Sequence, residues 1–321
     1  MKQRRTRFFL VAPSTVKFLR EARKTRNYSW LDWLHGTVYG RWPYMYIGIG
    51  IGEHPLAKKY KPVVVRLVKR LKPRIGNVKD PSENKSDSAE RITFADTYHG
   101  KVVPLQAAQQ LVQVNEEVVL TNLETIIPYQ RARDIILKNP DHIVALECPC
   151  RSVRTNPFLP LDVCLIVGEP FASYVHDHIP KRSRWISPAE AVSILDEEDQ
   201  RGHVHHAFFK DAMLGRFYAI CNCCSCCCGA MQSQRNGTMM LASSGYIAQV
   251  HPEDCIGCGS CAENCQFDAI KLVDFTAQID TSNCMGCGVC VNHCEQGALS
   301  LMRDVTKGDP LEILALLDAA R

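Results

Sequence analysis

Eight cysteines between positions 255 and 294 fall into two runs of the same spacing: Cys255, Cys258, Cys261 and Cys265, then Cys284, Cys287, Cys290 and Cys294. Each run reads C-x-x-C-x-x-C-x-x-x-C, the thiolate spacing that holds a cubane iron–sulfur cluster. Three closely spaced thiolates on a tight loop reach three corners of one cube, and the fourth, after a longer gap, reaches the other cube. This assigns Cys255, Cys258, Cys261 and Cys294 to one [4Fe–4S] cluster and Cys284, Cys287, Cys290 and Cys265 to a second. Zinc would favour two C-x-x-C pairs across a longer loop. A disulfide framework belongs to secreted chains, and nothing marks this chain as secreted. A protein holding two redox-active cubes moves electrons.

The elements that carry these loops are themselves repeated. Ala248-Gln249-Val250 before the first run matches Ala277-Gln278-Ile279 before the second, and Ala269-Ile270 matches Ala298-Leu299 after them. The pattern is an internal duplication: short strand, cluster loop, short helix, short strand, written twice. Gly257, Gly259, Gly286 and Gly288 lie between ligands, where the backbone must pass close to sulfide without a Cβ in the way. Over roughly residues 246–303 the segment resembles the bacterial dicluster ferredoxin family. That family usually has proline after the last cysteine of each run; here the positions are Gln266 and Glu295.

Nine of the 17 cysteines lie elsewhere: Cys148, Cys150, Cys164, Cys221, Cys223, Cys224, Cys226, Cys227 and Cys228. His142 to Leu146 reads as a buried strand that delivers Glu147-Cys148-Pro149-Cys150-Arg151 at its end, where α/β sheets place sites. Asp162 to Gly168 reads as a second strand carrying Cys164, with a core thiol and a ligand equally open to it. Pro104–Leu111 and Pro128–Leu137 read as helices opened by proline, and Ser187-Pro188-Ala189-Glu190 as a capping box for a helix running to Gly202. Tyr218-Ala219-Ile220 leads into six cysteines within eight residues, Cys221 to Cys228, a density that packing does not explain. His176, His178, His203, His205 and His206 could ligate metal or relay protons, although a surface or core role is the commoner one.

This arrangement is similar to a family of anaerobe iron–sulfur proteins in which a C-x-C-R element, a later cysteine before leucine, a Gly-x-Val-His turn and an N-C-C-x-C-C-C block precede a dicluster ferredoxin. Here those elements are Cys148 to Arg151, Cys164-Leu165, Gly202 to His205, and Asn222 to Cys228, and the resemblance covers about residues 100–303. It implies a further metal centre and anaerobic electron flow, and no substrate. Candidate ligands of the additional cluster are Cys148, Cys150, Cys223, Cys224, Cys226 and Cys227. A zinc or thiol-redox centre is the alternative, with adjacent cysteines forming a switchable disulfide.

The net charge of +4 conceals an asymmetry: residues 1–79 carry nineteen Lys and Arg against three acidic residues, and the remainder nineteen against thirty-one. In the basic part, Ser14 can cap a helix with Phe18, Leu19 and Ala22. Ser29 can cap a turn presenting Trp30, Trp33 and Leu34 and ended by Gly36, and Pro62 can open a helix with Val64, Leu67, Val68 and Leu71. Basic helices bordered by aromatic residues suit an anionic membrane surface, a partner subunit, or internal packing, and the periodicity serves all three. Nucleic acid is not expected, because no recognition motif accompanies the charge. Gly48-Ile49-Gly50-Ile51-Gly52 lacks the third glycine and following helix of a dinucleotide loop and reads as an irregular turn. The twin-arginine look of residues 1–10 lacks a sufficient apolar stretch and cleavage site. The expected location is therefore the cytoplasm, with peripheral association on the inner membrane face open.

The expected fold class is α+β: a basic, aromatic-rich helical docking region (1–79), a linker (80–90), a cysteine-rich α/β-like domain (91–245), a C-terminal dicluster ferredoxin-type domain (246–304) and a C-terminal helix (305–321). The expected function is electron transfer through two [4Fe–4S] clusters and a further cysteine-ligated cluster, with redox proteins or a larger oxidoreductase complex as partners. A reductase with an open-site cluster in the Cys148–Cys228 region and a thiol or zinc redox sensor are the alternatives.

Overall fold

The computed structural model describes residues 12–55, 57, 59, 98–129 and 133–321. The helix expected from Pro62, the linker at 80–90 and the twin-arginine segment lie outside the described residues. Alternation of apolar side chains organises the largest part. Val102 and Val103, Val144 and Ala145, Ile166 and Val167, and Phe208 and Phe209 point successively to opposite sides of one sheet, as the period of two in a strand requires. Both sides are covered.

In chain order the strands of this sheet are β1 (Tyr98–Val103), β2 (Val118–Leu120), β3 (Ile135–Leu146), β4 (Cys164–Glu169), β5 (Ser183–Ile186), β6 (Val204–Lys210), β7 (Arg216–Cys223) and β8 (Leu241–Ala242). They run β2-β3-β4-β7-β6-β1-β8, with β5 added to the C-terminal half of β3. Every pairing is antiparallel except β1 with β8. Ile135 to Leu137, expected to end a helix, instead pair with β2. The run Ile135-Ile136-Leu137 is apolar with two β-branched residues, and its pairing with Val118–Leu120 overrides the proline start signal.

One face of the sheet carries α1 (Pro13–Lys24), α2 (Trp30–Arg41), α3 (Pro43–Gly50) and α6 (Phe171–His178); the other carries α4 (Leu105–Gln113) and α7 (Pro188–Gln200). Between them in chain order, α5 (Pro149–Ser152) is a single turn. On the first face Phe18 sits against Phe171 and Tyr174 at 6.3 and 5.1 Å between ring centroids. The fully buried Phe18 and the buried Ala22 therefore pack within the chain. Ser29 forms a full capping box with Asp32. Gly36 does not end α2: a Cβ there would meet Ala212 O at 2.1 Å, so glycine serves close packing of helix on loop. The Gly48–Gly52 segment likewise departs from the expected turn, because Pro43 starts α3 and the helix runs to Gly50.

The chain then forms α8 (Gly229–Arg235) and a small module: β9 (Tyr246–Val250), α9 (Ser260–Glu263), β10 (Ile270–Val273), β11 (Thr276–Ile279), α10 (Val289–Asn292) and β12 (Leu299–Arg303). Its duplication is visible in the register. Val250 pairs with Leu299, and the repeat-equivalent Ile279 pairs with Ile270. The final helix α11 (Ile313–Ala320) returns to the second face of the large sheet, burying Leu311 and Ile313 among α4 and β2 residues. Among the described residues no helix is long and apolar enough to cross a membrane.

Candidate metal centres

In the C-terminal module, Cys255, Cys258, Cys261 and Cys294 line one cavity of about 20 Å³, and Cys265, Cys284, Cys287 and Cys290 line a second of the same size. The third cysteine of each run sits on α9 or α10, entered through Gly259 (φ 86°) and Gly288 (φ 85°). Gly257 and Gly286 also have positive φ. A Cβ there would stand 2.4 Å from Phe275 O and 2.1 Å from Tyr246 O, so the close approach that requires glycine is to neighbouring backbone. Three amide groups point at sulfur: Ala248 N to Cys284 Sγ at 3.4 Å, and Ala269 N to Cys265 and Ala298 N to Cys294, each at 3.3 Å. Such donors stabilise a thiolate and tune the potential of a cluster bound to it.

A third cavity, of about 60 Å³, lies on the first face of the large sheet and is lined by seven cysteines: Cys148, Cys150, Cys164, Cys221, Cys223, Cys227 and Cys228. The strand geometry accounts for the gathering. Leu146 is registered opposite Cys164 and Cys164 opposite Cys221, which brings facing Cβ atoms within about 4.5–5.5 Å. Cys223, two residues beyond Cys221, returns to the same face. Past the end of β3, Pro149 starts α5 and turns Cys148 and Cys150 inward. Cys228 precedes α8 on the opposite rim. Tyr39 and Gly40 of α2, Pro43 and Ile47 of α3, and Tyr98 and Tyr218 complete the wall. The Tyr39 and Tyr218 hydroxyls are 2.7 Å apart. The described part of the basic N-terminal region thus roofs this cavity.

Six of the seven thiols form a hydrogen-bonded chain, Cys221–Cys164–Cys148–Cys150–Cys228–Cys223, and their environments differ. Hydrogen bonds from Cys150 and Cys164, with the Arg151 backbone N–H and charge, hold Cys148 well below the ordinary thiol range despite its burial. Hydrogen bonding to Cys148 and Cys228, together with burial, pushes Cys150 well above it. Ligation would deprotonate any thiol it engaged, and Cys148 sits in the middle of the chain, between Cys164 and Cys150. Of the six residues singled out from the sequence, Cys148, Cys150, Cys223 and Cys227 line this cavity. Cys224 and Cys226 do not: they are joined to each other as a disulfide. Cys164, Cys221 and Cys228 join the set. For Cys164 and Cys221 the signal was the cross-strand register, which a single chain read without pairing does not reveal.

Behind the thiols lies a buried polar layer built from the remaining motif residues. Arg151, fully buried, donates from Nη2 to Glu198 Oε2 at 2.8 Å and from Nη1 to Pro160 O, and its guanidinium lies 4.1 Å from the centroid of Phe158. His203 Nδ1 is 2.7 Å from the same Glu198 oxygen. His205 Nδ1 is 2.7 Å from Asn222 Oδ1, while Asn222 Nδ2 donates to Val163 O at 2.9 Å. Burial pushes the Glu198 carboxyl up, but hydrogen bonds from His203 and Arg151 and the Arg151 charge outweigh it and leave it below the ordinary carboxylate value. His203 and His205 therefore fix the strands that carry the thiols. His206 is cross-strand from Cys221, and burial lowers it to about 3, which keeps it neutral. His176 and His178 do not line the cavity and sit beside Ser183 and Thr15.

The module is seated against this chamber. Met285 and Val289 are buried in the same core as Cys148, Cys164 and Cys223, and Cys287 and Phe267 pack on it. Gln266, where the ferredoxin pattern has proline, accepts from Ser225 N at 2.9 Å and donates to Gly202 O at 3.0 Å. Asn292 Nδ2 and His293 Nε2 reach Asp199 Oδ2 and Asp199 O, each at 2.9 Å.

Residues 254–298 match the model of the 4Fe-4S dicluster domain family. A search of the curated proteins finds no match. The matched segment contains all eight cysteines of the two four-cysteine cavities, and these all-thiol donor sets suit [4Fe–4S] clusters. An iron–sulfur, metal-binding role in electron transfer follows for this part of the chain.

Proposed function

We propose that the chain is an electron-transfer component of an oxidoreductase system, with Cys255, Cys258, Cys261 and Cys294 holding one [4Fe–4S] cluster, Cys284, Cys287, Cys290 and Cys265 a second, and the seven-thiol chamber a third iron–sulfur centre. When bound, such clusters supply one-electron transfer. The observation that carries the reading is the chamber: seven thiols around one cavity, roofed by tyrosines, on a face shared with the Cys287 loop. A cube takes four thiolates, so the ligands are drawn from Cys148, Cys150, Cys164, Cys221, Cys223, Cys227 and Cys228. Phe267 packs on both the chamber core and the module core, which supports the order chamber, Cys284 set, Cys255 set. Anaerobic purification with iron and sulfide quantification and EPR tests the proposal: about twelve irons per chain are expected, and about eight would remove the third centre.

One observation favours the reductase reading beside it. A further cavity of about 120 Å³, lined by Tyr46, Lys210, Ser233 and Met240, shares Tyr39, Tyr98, Cys150 and Ala230 with the chamber. There a small molecule could approach the Cys150 side. A change in the EPR signal of the third centre on adding a small-molecule oxidant, lost in Lys210→Met, would favour this reading over pure relay.

The N-terminal helices also bear on partners. Trp30, Leu31, Leu34, Trp42, Met45 and Ile49 are exposed on α2, α3 and their junction, Trp30 to 71%, beside Arg26 and Arg41. Exposed tryptophan with flanking basic charge is what an interfacial anchor uses, and supports docking on an anionic membrane surface. Flotation with anionic but not neutral liposomes, abolished by Trp30→Ser with Leu31→Ser, is the expected result; indifference to lipid charge and to the substitutions favours a protein partner in a larger complex.

A further inference from the structure

Cys224 and Cys226 stand outside the chamber yet touch its edge. They form a disulfide across Ser225, with Cys226 exposed and Cys224 half-buried. The sulfurs of Cys224, Cys226 and Cys227 lie within 4.8 Å of one another, and Cys227 lines the chamber. The loop is held from three directions. Arg154 Nη2 donates to Cys227 O at 2.8 Å, Gln232 Nε2 donates to Cys226 O at 3.0 Å, and Gln266 Oε1 accepts from Ser225 N at 2.9 Å. Gln266 directly follows Cys265, so a single side chain separates the second cysteine set of the module from the middle residue of the disulfide. Cys226 N also points at Cys224 Sγ, 3.1 Å away, a donor that stabilises the thiolate once the bond is opened.

From this arrangement we infer that Cys224 and Cys226 are an exchange pair that reduces disulfide substrates at the protein surface. The inference rests on the electron-transfer reading above for its supply of reducing equivalents, which come one at a time from an external low-potential electron carrier. Two electrons and two protons convert the Cys224–Cys226 disulfide to two thiols. The exposed Cys226 thiolate then bonds to one sulfur of a substrate disulfide, whose S–S bond breaks, and the departing thiolate takes a proton from water. Cys224, having lost its proton to solvent, bonds to Cys226 sulfur, restores the internal disulfide and releases the second substrate thiol. The net reaction consumes one substrate disulfide, two electrons and two protons and yields two thiols. Exposure assigns the roles: the accessible Cys226 attacks, and the half-buried Cys224 resolves.

The test uses the full chain purified without oxygen. Its thiols are read with 5,5′-dithiobis(2-nitrobenzoate) before and after reduction by dithionite and removal of the reductant. Before reduction the native protein should release no thionitrobenzoate from this loop; after reduction it should release about two equivalents and return to the internal disulfide. Cys224→Ser should release about one equivalent without prior reduction and retain the other half on Cys226 as a mixed disulfide, found by peptide mass, with iron and sulfide equal to wild type. Cys226→Ser should retain nothing. A reduced wild type in which Cys226 stays unlabelled overturns the inference. So does a loss of about four irons per chain, or of a bound zinc ion, on Cys224→Ser, because the pair would then be ligands. The thiol readout is independent of the iron count of the wild type, so failure of the third centre and failure of the exchange pair are scored separately.

Discussion

The two cavities of the C-terminal module and the chamber on the large sheet solve one problem in different ways. Each module cavity is built locally: three cysteines from one short loop and a fourth from its repeat enclose about 20 Å³. The chamber is assembled across about eighty residues, from the end of β3, the start of β4, the end of β7 and the entry to α8, and encloses about 60 Å³ with seven thiols. The local design needs little beyond glycine at tight turns. The distributed one requires a sheet in correct register and a buried polar layer to hold its strands together. The chamber has three more thiols than the four a cube takes, whereas each module cavity has four.

The sharpest way to break the comparison is to remove ligands from one side alone. Replacing Cys148 and Cys150 together by serine should lower the iron content by about four per chain and leave the module's EPR signal intact. If the module's signal is lost instead, or iron is unchanged, the chamber is not a separate centre. Next in size is the polar layer, which only the chamber needs. Glu198→Ala strands the fully buried Arg151 charge and should destabilise the fold by about 3–5 kcal/mol, measured by chemical denaturation of the holoprotein. The pH dependence follows from the depressed Glu198 carboxyl. Its contribution is fully present above the unfolded value of 4.5 and is lost as pH falls through the lower folded value. Wild type should therefore lose this increment on acidification, and the variant should show a flatter acid limb.

The two module cavities also differ from each other. The first set includes the exposed Cys258, while in the second Cys284 and Cys290 are buried and Cys287 packs on the chamber core, where burial pushes its thiol up. An oxidant and chelator should therefore strip the module's iron in two phases, the faster several-fold quicker. Cys258→Ser should abolish the fast phase and Cys287→Ser the slow one. Equal rates would mean that the chamber does not shield its neighbour.

Much of the module was legible because its chemistry is local. The grouping of cysteines around each cavity, the duplication and the short helices all follow from spacing within one segment. The chamber was legible in part. Cys148 and Cys150 announce themselves at a strand end, but Cys164 and Cys221 become neighbours only through the pairing of β4 with β7, and no local pattern encodes that register. The same limit explains the strand at Ile135–Leu137, where proline suggested a helix and β2 decided otherwise. The motif residues Arg151, His203, His205 and Asn222 were visible as a set, yet their role as one hydrogen-bonded layer depends on Glu198, which carried no signal of its own.

Gln266 joins the two designs, and its replacement is the smallest perturbation that separates them. Proline would remove a backbone N–H and cannot reproduce the side chain's two hydrogen bonds, to Ser225 and Gly202. Glu295, the equivalent position in the other repeat, is exposed. The departure from the ferredoxin pattern at Gln266 is thus a docking feature. Gln266→Ala should cost about 1–3 kcal/mol, because each partner loses a bond of about 0.5–1.5 kcal/mol, whereas Glu295→Ala should be neutral within about 0.5 kcal/mol. Paired denaturation curves measure both. Because Gln266 also ties down the loop bearing Cys224 and Cys226, its loss should raise the labelling rate of the reduced pair without changing iron content. An unchanged labelling rate would mean that the loop is held by Arg154 and Gln232 without Gln266, and that the module is joined to the large sheet by the Asn292 and His293 bonds to Asp199 and by the apolar packing of Phe267, Met285 and Val289.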